Sequence, residues 1–593
     1  MTNQQASRPA NRTRTSLTIT AVIVAVLVVI FFVFANLYTE VLWYDQLGFL
    51  GVLTTQWFSS AIMFLIGFFA IALPVYASIE IAYRARPVYA KLNSQLDRYQ
   101  QVIEPLRRLA MIGVPVLLGV FGGVSAAGRW PVVLQWLNKT QFGVADPQFG
   151  LDLSFYFYDL PMWHGVVEFA AWALGIAALA ALATSYLYGA IRFSGREVRI
   201  SRSARIQLAI TVALWFVMQA LLIWMDQYTT LSSSSQGFLQ TGAGYTEANA
   251  TIPGRAILAG IAVLVALLFI VTAIIGRWRL PVIGTALLIV SAIVVGGIFP
   301  WGVQRFQVEP NARTLEAEYI QRSIDATRDA YGVADVEEIP YSAVTDAEPG
   351  ALRADAETTA NIRIIDPALV PKAVQQLQQF RQYYQFASHL DVDRYEIDGK
   401  AQDTVIAVRE LNLAGLGDSS SWYNDTIVYT HGFGLVAAYG NQRASNGQPS
   451  FLESGIPSVG SLGDFEPRIY FGEESPLYSI VGGPEGGPKL ELDYPSGSED
   501  SDSAATTTFA GDGGPKLDSV FTKLIYAIKF QAEEIFLSEG VNDQSQILYD
   551  RSPKDRVAKV APYLTLDSDV YPAIVDGRIV WIVDGYTTGT NYP

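Results

Sequence analysis

The run Tyr429-Thr430-His431-Gly432-Phe433-Gly434 is where this chain brings together side chains suited to acid–base chemistry. A histidine preceded by Thr430 and Asp425 and followed by two glycines could serve as a general base or a metal ligand on a tight loop. The same residues fit a ring that satisfies buried backbone groups while the glycines permit a turn. Thr430 becomes a nucleophile only if an adjacent base stands in a defined geometry, and spacing alone does not supply that. The other two histidines, His164 beside Trp163 and His389 at the end of an expected helix, have no such surroundings.

Asp391, Asp393 and Asp398-Gly399 have the oxygen-rich spacing of calcium loops. Counted from Asp391, however, Glu396 stands where an EF-hand needs glycine, and Gln402 stands where it needs a bidentate glutamate. An EF-hand is excluded. A looser site at ~10⁻⁴–10⁻³ M, as in extracellular modules, is the form in which calcium would bind, and strand-edge carboxylates are the plainer reading. The runs Gly482 to Pro488 and Gly511 to Pro515 lack the Lys-Ser/Thr that a phosphate loop needs at a helix start, so they are expected to be turns. The chain has no cysteine, which removes disulfides, thiol nucleophiles and Cys-ligated metals.

Charge splits the chain in two. Residues 1–305 carry 20 Lys+Arg against 12 Asp+Glu, and residues 306–593 carry 21 against 44. An acidic second half argues against nucleic acid and against anionic lipid headgroups, and favours solubility, cationic partners or divalent ions.

Hydropathy makes the same division. Apolar runs at Leu17 to Leu37, Trp57 to Ile79, Leu109 to Ala126, Val166 to Leu187, Ile206 to Met225, Ala256 to Ile275 and Leu280 to Phe299 are each long enough to cross ~30 Å of hydrocarbon as a helix. None has a charged residue near its middle, where insertion would cost roughly 2.5–3.5 kcal/mol. The third run, with Gly113, Gly119, Gly122 and Gly123, must be closely packed or partly unwound. One set of connections holds 16 Lys and Arg, and the alternate set holds only Arg129, Lys139 and Arg255. The positive-inside rule therefore places the N-terminus in the cytoplasm and everything after Phe299 outside. The long first run without a small-x-small cleavage site reads as a retained signal anchor. Aromatic residues at Trp130 to Trp136 and Phe155 to Trp163 fit an interfacial belt or a lipid-facing shelf.

The second half is expected to mix helices and strands. Helical spacing predicts helices over Asn311 to Ala330, Pro367 to Leu390 and Leu517 to Ile535, the last too charged to span a membrane. Clusters of β-branched and aromatic residues predict strands at Thr404 to Val408, Thr426 to Tyr429, Arg468 to Phe471 and Ile579 to Val583, with a hairpin turn at Asp576-Gly577. Ser496 to Thr508 is too polar to order itself and is expected to be a flexible loop.

Several blocks carry a family resemblance. Asp146-Pro147-Gln148-Phe149-Gly150-Leu151-Asp152 runs into Phe155-Tyr156 and Leu160-Pro161. Gly242-Ala243-Gly244-Tyr245-Thr246 follows, then Val303-Gln304-Arg305-Phe306 with Glu309-Pro310-Asn311. Later come Arg381 to Phe386, Asp391 to Tyr395, the Tyr429 to Gly434 run, Ile469 to Glu473, Ala561 to Leu564 and Asp584 to Thr587. In this order they resemble the bacterial envelope proteins called uncharacterised protein family 0182, from Leu42 onward. The chain departs from the family at Ala312-Arg313, where an acidic residue and Leu are usual, and at Ala317, where Pro is usual ahead of Tyr-Ile. Family members also continue for several hundred residues past the Asp584 to Thr587 block. The resemblance thus implies a truncated outer domain, a location and a topology, and no activity.

The expected architecture is a cytoplasmic N-terminus at 1–16, a seven-helix transmembrane bundle at 17–300 and an acidic α+β extracytoplasmic domain at 301–593. The expected role is a non-catalytic cell-membrane protein whose outer domain docks envelope partners or a second copy, or handles lipid or glycan, with no resident cofactor. The alternatives are a transporter, against which stands the lack of mid-membrane carboxylates or histidines, and an outer-face hydrolase using the loop of His431, Thr430 and Asp425.

Overall fold

The computed structural model describes residues 12–87, 107–194, 197–233, 239, 241–342, 349–354, 362–495 and 505–588. The N-terminal arm, the basic connection at 88–106, the polar run at 496–504 and the chain end lie outside the described residues.

Seven helices among them are long and apolar enough to cross a membrane. They are built on α1 (Arg12–Gln46), α2 (Leu50–Arg84), α3 (Arg107–Ala127), then, past the short α4 (Trp130–Leu137), α5 (Leu160–Leu187), α6 (Arg202–Thr229), α7 (Ile252–Ile275) and α8 (Arg279–Ile293). Each predicted run falls on one of them. A short hairpin, β1 (Ile191–Ser194) with β2 (Glu197–Ile200), joins α5 to α6, where Ser201 caps α6 by accepting from Ala204 N. The glycine-rich α3 is helical and tightly packed rather than unwound. A Cβ on Gly67 of α2 would sit 2.4 Å from Ala126 Cβ, and one on Gly122 would sit 2.5 Å from Ile71 Cγ1. Bare Cα atoms let the two backbones touch, as small residues do between membrane helices.

By their contacts the described residues fall into two compact units, one within 12–54 and 342–588 and the other within 55–341. In the first unit the last turns of α1 are part of a hydrophobic core. Ala35, Trp43, Tyr44 and Leu53 pack with Leu517, Ile525, Tyr526, Ile535 and Ile547. The helix Val520–Phe530 lies against α1, starts at a Ser519–Thr522 capping box and stops at Gln531, whose φ of 53° is left-handed. The predicted third helix is therefore two pieces, Val520–Phe530 and Glu534–Leu537.

The main sheet of this unit is antiparallel, with β3 (Asp391–Ile397), β4 (Lys400–Val408), β5 (Leu435–Arg443), β6 (Pro449–Ser454) and β7 (Val459–Gly460) in spatial sequence. Alternate residues of β4 feed two cores, Val405 and Ala407 on one side, Ile406 and Val408 on the other. Smaller pairs join β8 (Tyr478–Val481) to β11 (Gln546–Tyr549) and β9 (Glu491–Tyr494) to β10 (Ala505–Thr507). The hairpin β12 (Thr565–Val575) to β13 (Arg578–Tyr586) turns at Asp576 and Gly577 as predicted, and both residues stand at positive φ.

Four expectations need correction. The helix predicted over Pro367 to Leu390 covers only Pro371–Gln378, because Phe380 adopts φ 59° and Tyr384–Gln385 pairs with Glu410–Leu411 instead. The strand predicted at Thr426 to Tyr429 is a wide helical turn, Asn424–Val428. Ser421 starts it, receiving Asn424 N on its hydroxyl and Asp425 N on its carbonyl, and this local capping overrides the β-branched content. Of Arg468 to Phe471, only Arg468–Ile469 pairs as strand. The run Ser496 to Thr508 also ends in strand at β10.

Candidate functional site

The wide turn at Asn424–Val428 delivers Thr430 and His431 into the interior, and the chain then pairs Gly432–Phe433 with Arg468–Ile469. Glycine is required at 432, where a Cβ would lie 2.2 Å from Arg409 O, and at 434, where φ is +83°. The glycines of the motif therefore seat His431 against neighbouring backbone.

His431 is 2% exposed and its ring packs on Tyr470 at 4.5 Å between centroids, tilted by 34°. Its Nδ1 lies 2.9 Å from Thr430 Oγ1, and Thr430 Oγ1 donates to Glu491 Oε2 at 2.8 Å. Because the hydroxyl proton goes to the carboxylate, the ring donates Nδ1–H to Thr430. Tyr470 OH donates to the same Glu491 oxygen at 2.9 Å, while Glu491 Oε1 accepts from Gly482 N and Phe509 N. The glycine run at 482 thus wraps a carboxylate of the protein itself. On the far side His431 Nε2 stands 3.8 Å from Asp493 Oδ1, beyond hydrogen-bond reach, and Asp493 is held by the Nε and Nη2 of Arg468 at 2.8 and 2.9 Å.

Arg551 closes the cluster, donating to Tyr470 O, Ser479 Oγ and Thr430 O. Burial pushes its guanidinium down to about 10. Burial also raises the Tyr470 phenol, with Glu491 adding to the effect. Burial pushes Asp493 up, but His431 and Arg468 outweigh it and hold the carboxylate below its ordinary value. A cavity of about 170 Å³ beside the cluster is lined by Glu491, Ile427 and Asn542, and His431 is not part of its wall.

Asp425 does not join His431. Its Oδ2 accepts from Ser420 Oγ at 2.7 Å, and the carboxylates beside the imidazole are Glu491 and Asp493. Sixty residues separate them from His431, so nothing local in the sequence pointed to them. Chemically, the Thr430 hydroxyl donates its hydrogen bond to the Glu491 carboxylate, and His431 Nδ1 faces that hydroxyl as a donor. The ring is not placed to take a proton from Thr430.

The three aspartates do not converge. Asp391 opens β3 and Asp398 sits in the turn after it, seven residues on, which puts them ~23 Å apart at the rise of a strand. Asp393 takes Arg394 N. Among the described residues no group of three or more His, Cys, Asp or Glu has the geometry to hold a metal. His164 Nε2 lies 3.1 Å from Asp226 Oδ1, and His389 is exposed.

The Asp146 to Asp152 block is a loop organised by its own carboxylates. Asp146 accepts from Gln148 N, Phe149 N, Leu151 N and Tyr156 OH, and Asp152 accepts from Phe142 N, Gly143 N and Ser154 N.

The profile of the uncharacterised protein family UPF0182 matches residues 17–593. A UPF0182 protein of Clavibacter michiganensis is 65% identical over 99% of this chain and 59% of its own length. One from Leifsonia xyli is 58% identical over 100% and 60%, and one from Tropheryma whipplei 52% identical over 97% and 60%. The chain therefore spans about 60% of the length of these curated relatives. No solved structure matches it.

Proposed function

The chain belongs to the uncharacterised protein family UPF0182, and from that premise we propose that it is a non-catalytic multi-pass protein of the bacterial cell membrane. Its N-terminus is cytoplasmic, and the strand-rich unit of 342–588 stands outside as a docking module for an envelope protein, a lipid or a glycan.

The observation that carries the non-catalytic reading is the enclosure of His431. A catalytic imidazole must reach a substrate atom directly or through one water. This ring is covered by Tyr470 and hydrogen-bonded to Thr430. The seven apolar helices and the bias of Lys and Arg toward one set of their connections support the membrane placement. The acidic composition of the second half supports a solvated module with cationic or polar partners.

The test is complementation in a bacterium lacking its own copy, using full-length protein with His431→Gln. On this proposal, variant protein that accumulates to wild-type level restores the envelope phenotype. Full accumulation with complete loss of the phenotype would favour the hydrolase.

A further inference from the structure

Between α2, the end of α3, α4 and α5 lies an apolar groove of about 550 Å³. It follows α2 from Met63 to Pro74, a stretch of ~16 Å, and its opposite wall includes Val133, Phe169 and Ala170. A groove of this composition at the depth of membrane spans takes hydrocarbon, since water there would find no polar partners.

Arg129 is the charged residue of the lining. Its guanidinium rests over the bare Cα of Gly165, where a Cβ would come within 2.7 Å of Nη1. Its Nη2 lies 3.4 Å from Glu168 Oε2, and the two side chains remain 53% and 41% exposed. The groove thus carries a cation on its wall and, just beyond that wall where Glu168 lines a neighbouring apolar cavity, an anion beside it, both still open to solvent.

We infer that this groove holds one acyl chain of a phospholipid with a phosphoethanolamine headgroup, whose phosphate sits on Arg129 and whose ammonium sits on Glu168. The planar guanidinium suits a phosphate, and the carboxylate accepts from a primary ammonium. An anionic headgroup without an ammonium leaves Glu168 facing like charge, and a trimethylammonium offers no N–H to accept. The inference rests on the membrane helices and is independent of what the strand-rich unit docks.

The experiment takes the full chain in detergent, strips it of lipid and mixes it with vesicles containing equal phosphatidylethanolamine, phosphatidylglycerol and phosphatidylcholine. Native mass spectrometry then reads the retained lipid. The expected result is one phosphatidylethanolamine per chain, favoured about tenfold over the other two, a ratio worth one charged hydrogen bond. Arg129→Ala loses that retention, and Glu168→Ala moves the preference to phosphatidylglycerol. Equal retention of all three lipids by the unaltered chain, or preference for the anionic one, overturns the inference without recourse to any variant. Undiminished phosphatidylethanolamine on Arg129→Ala overturns it as well.

Discussion

Glu40 and Lys529 are 489 residues apart in the chain and 3.0 Å apart in the fold. Lys559 reaches the other oxygen of the same carboxylate at 3.1 Å and Asp550 at 2.6 Å. Close by, Tyr549 OH donates to Thr39 O, and Tyr44 OH donates to Lys559 O. The last turns of α1 are thereby a structural member of the strand-rich unit as well as the end of an apolar helix.

Glu40→Ala should destabilise that unit by about 2 kcal/mol. It deprives Lys529, only 14% exposed, of its carboxylate, but Lys559 keeps Asp550 at 2.6 Å and Glu40 at 27% is not fully buried, so the loss falls short of the ~3–5 kcal/mol of a broken buried pair. Denaturant unfolding in detergent followed by tryptophan fluorescence measures it. An unchanged midpoint would mean the bridge contributes nothing.

His431→Ala should cost about 2–4 kcal/mol, because it opens a void under Tyr470 and deprives Thr430 of its donor. His431→Gln, which can still donate, should cost less. A variant as stable as the unaltered chain would show that the ring is not a packing element.

The first unit should be more stable at pH 5.5 than at pH 8. Burial pushes Glu410 up to about 7, opposed in part by the N–H groups of Glu474 and Glu473, and burial with Asp569 and Glu473 pushes Asp391 up to about 7. Both folded values lie above the ordinary 4.5 and 3.8, so the fold favours the protonated forms. That stabilisation is complete below the ordinary values and is lost as pH rises through 7. Glu410 alone accounts for up to about 3 kcal/mol. Asp493, held below its ordinary value, works in the opposite sense only at lower pH. A thermal midpoint that falls between pH 8 and 5.5 would contradict the assignment.

Gly67→Ala and Gly113→Ala make a matched pair. The first drives a methyl to 2.4 Å from Ala126 Cβ and 2.6 Å from Gly122 O, whereas the second meets nothing within 4 Å. Overpacking should cost the first about 1–3 kcal/mol, and the second should be neutral. Unfolding of the two variants in one detergent separates the effects.

The membrane helices were legible in the sequence because a span must be apolar over its whole length, a requirement that leaves a continuous signal. The hairpin at Asp576-Gly577 was legible for a local reason, the positive φ of both residues. The strand-rich unit was less so. At Thr426 a capping serine outweighed β-branched content, and at Phe380 a single left-handed residue ended a helix that spacing alone would have continued. In the candidate site, His431 and Thr430 stood out by type and adjacency. Their true partners, Glu491, Asp493, Tyr470 and Arg551, are distant in sequence and meet only through tertiary pairing, while Asp425 was near in sequence and bonds elsewhere. The role of α1 in the core was hidden because its packing residues, Trp43 and Tyr44, follow the apolar run.

The central claim is that the strand-rich unit stands outside the cell while the N-terminus stays within, and the absence of cysteine makes it directly measurable. Asn446→Cys lies at an exposed turn between β5 and β6, and Ser7→Cys lies in the N-terminal arm. In intact cells a membrane-impermeant maleimide should label the first at once and the second only after permeabilisation. Labelling of Ser7→Cys in intact cells, with Asn446→Cys protected, would contradict the claim.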